Sequence, residues 1–312
     1  MSKSLRVAVL GPKGQCGSCV VDELLSRGHS VVGISRSPPK AWPKSGEYGG
    51  IPCDFSDIKG LSKILSDGGF DAVVSAFAPP LANFEAVYTL GVEGHGNIKM
   101  AILRSTYRGP FIIIGGAGSL YYKNGVQLCD DESFAFKHWY AWPDVHLDYM
   151  STRMFDHGQR AFGTFIRTFK WARSNRENPG WFSWMFRPFA NWFLRSAKKT
   201  LTHRNTVGLI FCSRAALTMW EGVQETKWSF LSPPWQLRDK GIRTGKYEVH
   251  VDDTAGSAEY GIDNGIYNED MAVAIVDEVE NNKLTHKHWT CTGPIGLKDC
   301  THQVLDLALS GV

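Results

Sequence analysis

The sequence predicts an α/β protein built on a doubly wound parallel sheet, interrupted after its fifth strand by a helical, aromatic-rich insertion. Three observations predict it. Short, solidly apolar runs alternate with segments of helical periodicity from the first residues onward. A glycine-spaced turn separates the first apolar run from the first helix. The rhythm then stops near residue 121 and resumes near 207, with a stretch dense in Trp and Phe between. Strands buried on both faces read as unbroken apolar runs, and strands alternating with helices imply right-handed crossovers and parallel pairing.

The elements follow in order. The first strand covers residues 5–10. The first helix covers 16–26, with Val20, Val21, Leu24 and Leu25 on one face. The second strand is 30–35, and a third ends at Cys53. A short helix at 58–65 precedes the fourth strand at 71–76. A long helix lies within 84–107, and the fifth strand is 110–115. Beyond the insertion come a helix at 207–224 and a strand at 227–231, closed by Ser232-Pro233-Pro234. Residues 244–251 alternate like a strand. An amphipathic helix at 269–280 has Asn268 in place to cap it, and a last strand is 288–293.

The chain has 312 residues, enough for one large α/β domain carrying an insertion. A net charge of +3 gives no reason to expect nucleic acid as a partner. Of seven cysteines, only Cys16 and Cys19 stand in a C-x-x-C spacing, with no second pair or Cys/His spacing to complete a ligand set; the pattern suits free thiols in a reducing compartment and suggests no metal site. The N-terminus enters a strand without an apolar leader. No stretch stays apolar for the roughly 18 residues of a membrane span. These observations predict a soluble, cytoplasmic protein with no integral membrane segment.

The turn reads G-P-K-G-Q-C-G, placing Gly11, Gly14 and Gly17 between strand and helix. In a dinucleotide site the first such glycine permits a tight turn, and the second admits the pyrophosphate close to the backbone. The third lets helix and strand pack, and the helix N-terminus attracts the anionic phosphates. The spacing is G-x-x-G-x-x-G rather than G-x-G-x-x-G. Its position at the head of a βαβ rhythm carries the reading: one NAD(P)-binding domain of Rossmann type over 1–312, with a helical insertion at 135–205.

The second strand ends in Ser35-Arg36-Ser37, with Lys40 nearby and no carboxylate. An acid there would bond the ribose 2′-hydroxyl and repel a 2′-phosphate, whereas a guanidinium holds that phosphate through charge-assisted bonds. NADP(H) is the expected cofactor.

Four stretches resemble the atypical short-chain dehydrogenase/reductase superfamily, in its NmrA-like and NADH-flavin reductase (biliverdin-reductase-B-like) branch. They are "VAVLGPKGQCG", "IPCDFSD", "IIIGGAGSLYYKNGVQLCDD", and "WSFLSPPWQLRDKGIRTGKYEV" followed by "IYNEDMAVAIVDEVEN". Nothing in 135–205 carries the resemblance. The resemblance implies that Gly11, Gly14 and Gly17, with Lys13, Gln15 and Cys16, wrap the phosphates. Arg36 and Ser37 would hold the 2′-phosphate, and Asp54 and Phe55 would border the adenine. Ala76, Phe77 and Ala78 would lie along the cofactor, and Gly116, Ala117 and Ser119 would face the nicotinamide. Ser232, Pro233 and Pro234 would approach the carboxamide.

One departure matters. Common members of the superfamily use Tyr-x-x-x-Lys, and no tyrosine here has lysine four residues on. The nearest arrangement is Tyr149 with Arg153, and arginine stabilises a phenolate without relaying its proton. Tyr149, supported by Arg153 or relayed through His146, is the candidate proton donor, with Ser119 orienting the substrate.

The insertion holds Trp139, Trp142, Trp171, Trp181, Trp184 and Trp192, with Phe182, Phe186, Phe189 and Phe193 at helical spacing. It reads as a packed helical subdomain, as a wall or lid for a large apolar substrate, or as an amphipathic helix on a membrane or in a homodimer interface. Core plus substrate wall is the preferred reading. The functional expectation is an NADPH-dependent reductase of a bulky apolar carbonyl, imine or conjugated small molecule in secondary metabolism. A redox-neutral rearrangement or cyclisation enzyme that retains NADP, and a non-catalytic NmrA-type redox sensor, are the alternatives.

Overall fold

The computed structural model describes residues 4–79, 84–121, 125–132, 134–177, 180–203, 206–251 and 265–295. Among these residues the chain divides into two compact units. One runs up to Asp130 and continues from Gly208 to Ile295; the other runs from Asp131 to Val207.

In the first unit, β1 (Arg6–Leu10), α1 (Gln15–Ser26), β2 (Ser30–Ser35), β3 (Tyr48–Pro52), α2 (Ile58–Asp67), β4 (Ala72–Ser75), α3 (Phe84–Arg104) and β5 (Pro110–Ile114) follow one another as expected. The sheet strands β6 (Lys227–Leu231), β8 (Glu248–Val251) and β10 (Lys287–Thr292) come from the second half of the chain. The sheet has eight strands in the order β3-β2-β1-β4-β5-β6-β10-β8. Every neighbouring pair is parallel except β10 with β8, so the parallel sheet ends in one antiparallel edge strand. The strand order reverses at β1, whose neighbours are β2 and β4. In open α/β sheets the ligand crevice lies beyond the carboxyl ends of the strands at such a switch point.

The apolar runs have no polar face because both faces of the sheet are covered. Val7 and Val9 of β1 pack in one core with Val20, Val21 and Leu24 of α1. The same core takes in Met271 and Ile275 of the helix Asn268–Asn281. Ala8 and Leu10 point the other way, toward Leu61 of α2 and Ile98 and Ile102 of α3. Burying side chains the size of valine or leucine contributes about 1.5–3 kcal/mol each. Glu23, buried on α1, accepts from Arg27 at 2.8 Å and from Arg243 at 2.6 and 2.7 Å. Burial raises its pKa, but the bonds from Arg243 and Arg27 outweigh that and leave the carboxyl below its ordinary value.

The second unit is α4 (Phe134–Ala141), α5 (Asp144–Asp156), α6 (Arg160–Glu177) and α7 (Ser183–Leu201). Phe136 and Trp139 meet Phe169 edge-on at 6.0 and 6.1 Å between ring centroids. Arg173, buried on α6, donates to the carbonyls of Tyr140 and Trp142 and to the Asp144 carboxylate, tying three helices together.

Several expectations need correction. The helix expected at 207–224 is α8, Gly208–Thr218, which ends before Trp220. The strand expected at 244–251 pairs only over Glu248–Val251. Asn268 is not the cap of the last helix, here α9 (Asn268–Asn281). Tyr267 occupies the cap position, and Asn268 is fully buried, its side chain 3.5 Å from the Gln15 carbonyl oxygen. Two short strands, β7 (Gln236–Arg238) and β9 (Gly265–Tyr267), form a separate parallel pair that the sequence reading missed.

Candidate nucleotide and active site

The glycine turn begins at Gly11, the residue after the last of β1. Gly11 has φ of +83°, and a Cβ there would lie 3.0 Å from the carbonyl oxygen of Ala76. A Cβ at Gly17 would lie 2.2 Å from the Gly11 carbonyl oxygen, closer than atoms can approach. The chain's own packing therefore demands glycine at both positions. Gly14 differs. A Cβ there would come only to 3.4 Å of the Gly11 oxygen, an ordinary contact. Glycine at position 14 keeps open the space in front of the α1 N-terminus, where an anion would approach. The first turn of α1 contains no acidic residue to oppose that charge. This cradle fits a dinucleotide pyrophosphate, with Lys13 exposed beside it and Gln15 and Cys16 opening the helix.

Beyond β2, Arg36 and Ser37 are exposed. Asp54 follows β3 and accepts from the Ser56 amide and hydroxyl, both at 2.9 Å. Those two bonds, and then the charge of Arg36, hold its carboxyl below the ordinary aspartate value. Asp54 therefore offsets part of the Arg36 charge. A cavity of about 890 Å³ opens here, lined by Arg36, Ile51, Cys53, Asp54 and Lys63 among others. Phe55 and Phe77, assigned separately from the sequence, meet edge-on at 5.9 Å. Phe77 also meets the buried His95 of α3 at 5.2 Å, and burial pushes that imidazole down to about 4. Ala76 and Ala78 flank Phe77 past the end of β4, and the Ala76 amide donates to the Leu10 carbonyl at 2.9 Å.

Past β5, Gly116 leads into a single 3-10 turn, Ala117–Ser119. The fully buried Ser119 hydroxyl donates to the Gly116 carbonyl at 2.9 Å and lies 2.6 Å from the Ser232 hydroxyl. Ser232 in turn lies 2.6 Å from His288 Nε2, and Pro233 and Pro234 are buried behind it. Each hydroxyl has one proton. All three bonds form together only if the Ser119 proton points at Gly116, Ser232 donates to Ser119, and His288 Nε2–H donates to Ser232. With its proton committed to the Gly116 carbonyl, the buried Ser119 hydroxyl is unsuited to protonating a ligand. The sequence reading missed His288. It arrives beside Ser232 because β10 runs parallel to β6, with the Ser232 amide donating to the Trp289 carbonyl at 2.8 Å.

The remaining candidates lie in the second unit. Tyr149 and the buried His146 share α5, their ring centroids 5.7 Å apart, and His146 meets Trp142 edge-on at 4.5 Å. Arg153 follows Tyr149 by one turn of the same helix. No cluster of three or more His, Cys, Asp or Glu able to hold a metal ion occurs among the described residues. No helix among them is long and apolar enough to cross a membrane.

An open, switch-pointed sheet with a glycine turn at the head of its first helix defines a nucleotide-binding protein of Rossmann type. Residues 7–133 match the NAD dependent epimerase/dehydratase family, which fits the resemblance to atypical short-chain dehydrogenase/reductases. A Bacillus subtilis protein, YwnB, is 23% identical over 291 residues, covering 92% of this chain and 97% of that one. A Mycobacterium bovis protein is 38% identical over 69 residues, a match spanning 22% of this chain and only 8% of that protein's length. Among solved structures, a Streptococcus pneumoniae protein provisionally named an NADH-flavin reductase superposes with a TM-score of 0.59 at 19% identity, covering 93% of this chain and 100% of that one. ChuY, an anaerobilin reductase from Escherichia coli, superposes with a TM-score of 0.51 at 13% identity, covering 93% and 98%. At such identities the superpositions show the shared fold.

Proposed function

We propose that the protein is an NADPH-dependent reductase of a bulky apolar carbonyl, imine or conjugated small molecule, acting in the cytoplasm on a secondary metabolite. The observation that carries this reading is the buried Ser119–Ser232–His288 chain past the ends of β5 and β6. In the resembling family this is the nicotinamide end of the cofactor, and the structural neighbours include proteins named as reductases. The cofactor, when bound, supplies a hydride. Gly14 and the α1 N-terminus would hold its pyrophosphate, and Arg36 its 2′-phosphate. Ser119 orients the acceptor, its own proton being committed to Gly116.

The proton needed at the reduced centre is assigned to Tyr149, the candidate that the sequence singles out. Tyr149→Phe keeps the ring and removes only the hydroxyl. General acid catalysis is worth about 10²–10⁴-fold, so turnover should fall by that factor with cofactor affinity unchanged. Turnover within about threefold of the parent removes Tyr149 from the role.

The reductase reading itself is tested by incubating the protein with NADPH and a panel of aromatic carbonyls, imines, quinones and flavins. Oxidation of NADPH with a reduced product supports it. Product formation without net change in nicotinamide absorbance would assign a redox-neutral reaction. Equal binding of oxidised and reduced cofactor with no turnover would assign a sensor.

A further inference from the structure

The second unit carries a feature that the cofactor site does not use. Helix α7 turns its small face inward and its large face outward. Ala190, Leu194, Ala197 and Leu201 are buried at helical spacing. On the other side Trp184 is 66% exposed, Phe189 50% and Trp192 61%, and Trp181 just before the helix is 88% exposed. A helix serving only to pack its unit would do the reverse, because indole and phenyl rings contribute most when buried. Contiguous exposed apolar surface of this kind marks a docking site.

The charge around it selects the occupant. Arg187, Arg195 and Lys199 are exposed on the same helix. Between Glu177 and Glu221 the sequence contains no Asp or Glu. A second copy docked symmetrically through this face would bring two sets of these cations together with no carboxylate from the helix between them. An anionic surface meets no such repulsion. Tryptophan also favours the boundary between hydrocarbon and headgroups, where its apolar ring and polar N–H are both satisfied. Four cations in 19 residues exclude a span and suit a helix lying in the plane of the interface.

We infer that α7 with Trp181 is a peripheral membrane anchor that lays Trp184, Phe189 and Trp192 into the interface of an anionic bilayer, with Arg187, Arg195 and Lys199 at the headgroups. This inference is independent of the proposed reductase activity. It makes the third reading of the insertion, as an interfacial helix, the one that α7 follows.

The test is co-sedimentation of the full chain with vesicles of equal parts phosphatidylserine and phosphatidylcholine, and with phosphatidylcholine alone. The parent should bind the anionic vesicles, with a blue shift of tryptophan fluorescence and weakening at high salt. The double variant Trp184→Ala/Trp192→Ala should lose binding. A second variant, Arg187→Glu/Lys199→Glu, keeps the rings and should weaken binding by more than about tenfold, since each cation near an anionic surface contributes separately. Both variants change exposed positions, and circular dichroism melts confirm folding before they are scored. Absence of binding to either vesicle overturns the inference. So does a concentration-dependent dimer in sedimentation equilibrium that the tryptophan variant dissolves, which would assign the face to a second copy.

Discussion

The two units place their large aromatic side chains differently. In the first unit Phe111, Trp220, Trp228, Phe230 and Trp289 are all buried in the layers beside the sheet. In the second, Phe136, Trp139 and Phe169 are buried, while Trp181, Trp184 and Trp192 face out. A sheet covered on both faces leaves an apolar side chain nowhere else to go. A helix has a choice of sides, and α7 gives its inner side to alanine and leucine. Aromatic richness is therefore evidence of a core in the first unit and evidence of both a core and a surface in the second.

The sharpest way to break that comparison is a pair of truncations in the second unit. Phe169→Ala removes a fully buried ring and should cost about 3–5 kcal/mol in denaturant unfolding. Phe189→Ala removes an exposed one and should stay within about 0.5 kcal/mol of the parent. Equal losses would mean that the outward face of α7 is a packed surface after all.

A second pair separates the two kinds of glycine in the first unit. Gly17→Ala drives a Cβ into the Gly11 carbonyl and should destabilise the fold by about 1–3 kcal/mol or more, weakening cofactor binding with it. Gly14→Ala fits its surroundings, so the melting temperature should hold while cofactor affinity falls. A melting loss at Gly14 matching that at Gly17 would show that glycine 14 also serves internal packing.

Acid should act through buried histidines in both units. His95 in the first and His138 in the second are each held near 4 by burial, below the ordinary 6.5. The unfolded chain binds these protons first, so stability is fully present above about 6.5 and declines as pH falls toward 4. The slope is at most about 1.4 kcal/mol per pH unit for each histidine. His95→Gln should flatten the decline in a pH series of unfolding free energies, and an unchanged slope would remove His95 from the account.

Much of the first unit was legible because its signals are local and redundant. The runs at β1, β2, β4 and β5, the glycine turn and the helix α1 lie next to one another in the chain and report the same architecture. The strands β7 and β9 were not legible, since three residues are too few to show alternation. Asn268 looked like a cap by residue type, and only packing against the first turn of α1 reveals its different place. His288 was invisible for a related reason. It lies 56 residues from Ser232 and reaches it only through the pairing of β10 with β6. On α7 the helical spacing of the phenylalanines was readable, but period alone does not say which face turns inward.

The central claim is that the turn from Gly11 to Gly17 and the arginine at the end of β2 together hold NADP(H). Calorimetric titration of the parent protein and of Arg36→Ala with NADPH and NADH tests it most directly. The parent should bind NADPH more tightly, and Arg36→Ala should narrow the gap by about 1.5–3 kcal/mol, roughly ten- to a hundredfold, with NADH affinity little changed. Equal affinity of the parent for the two cofactors would contradict the claim.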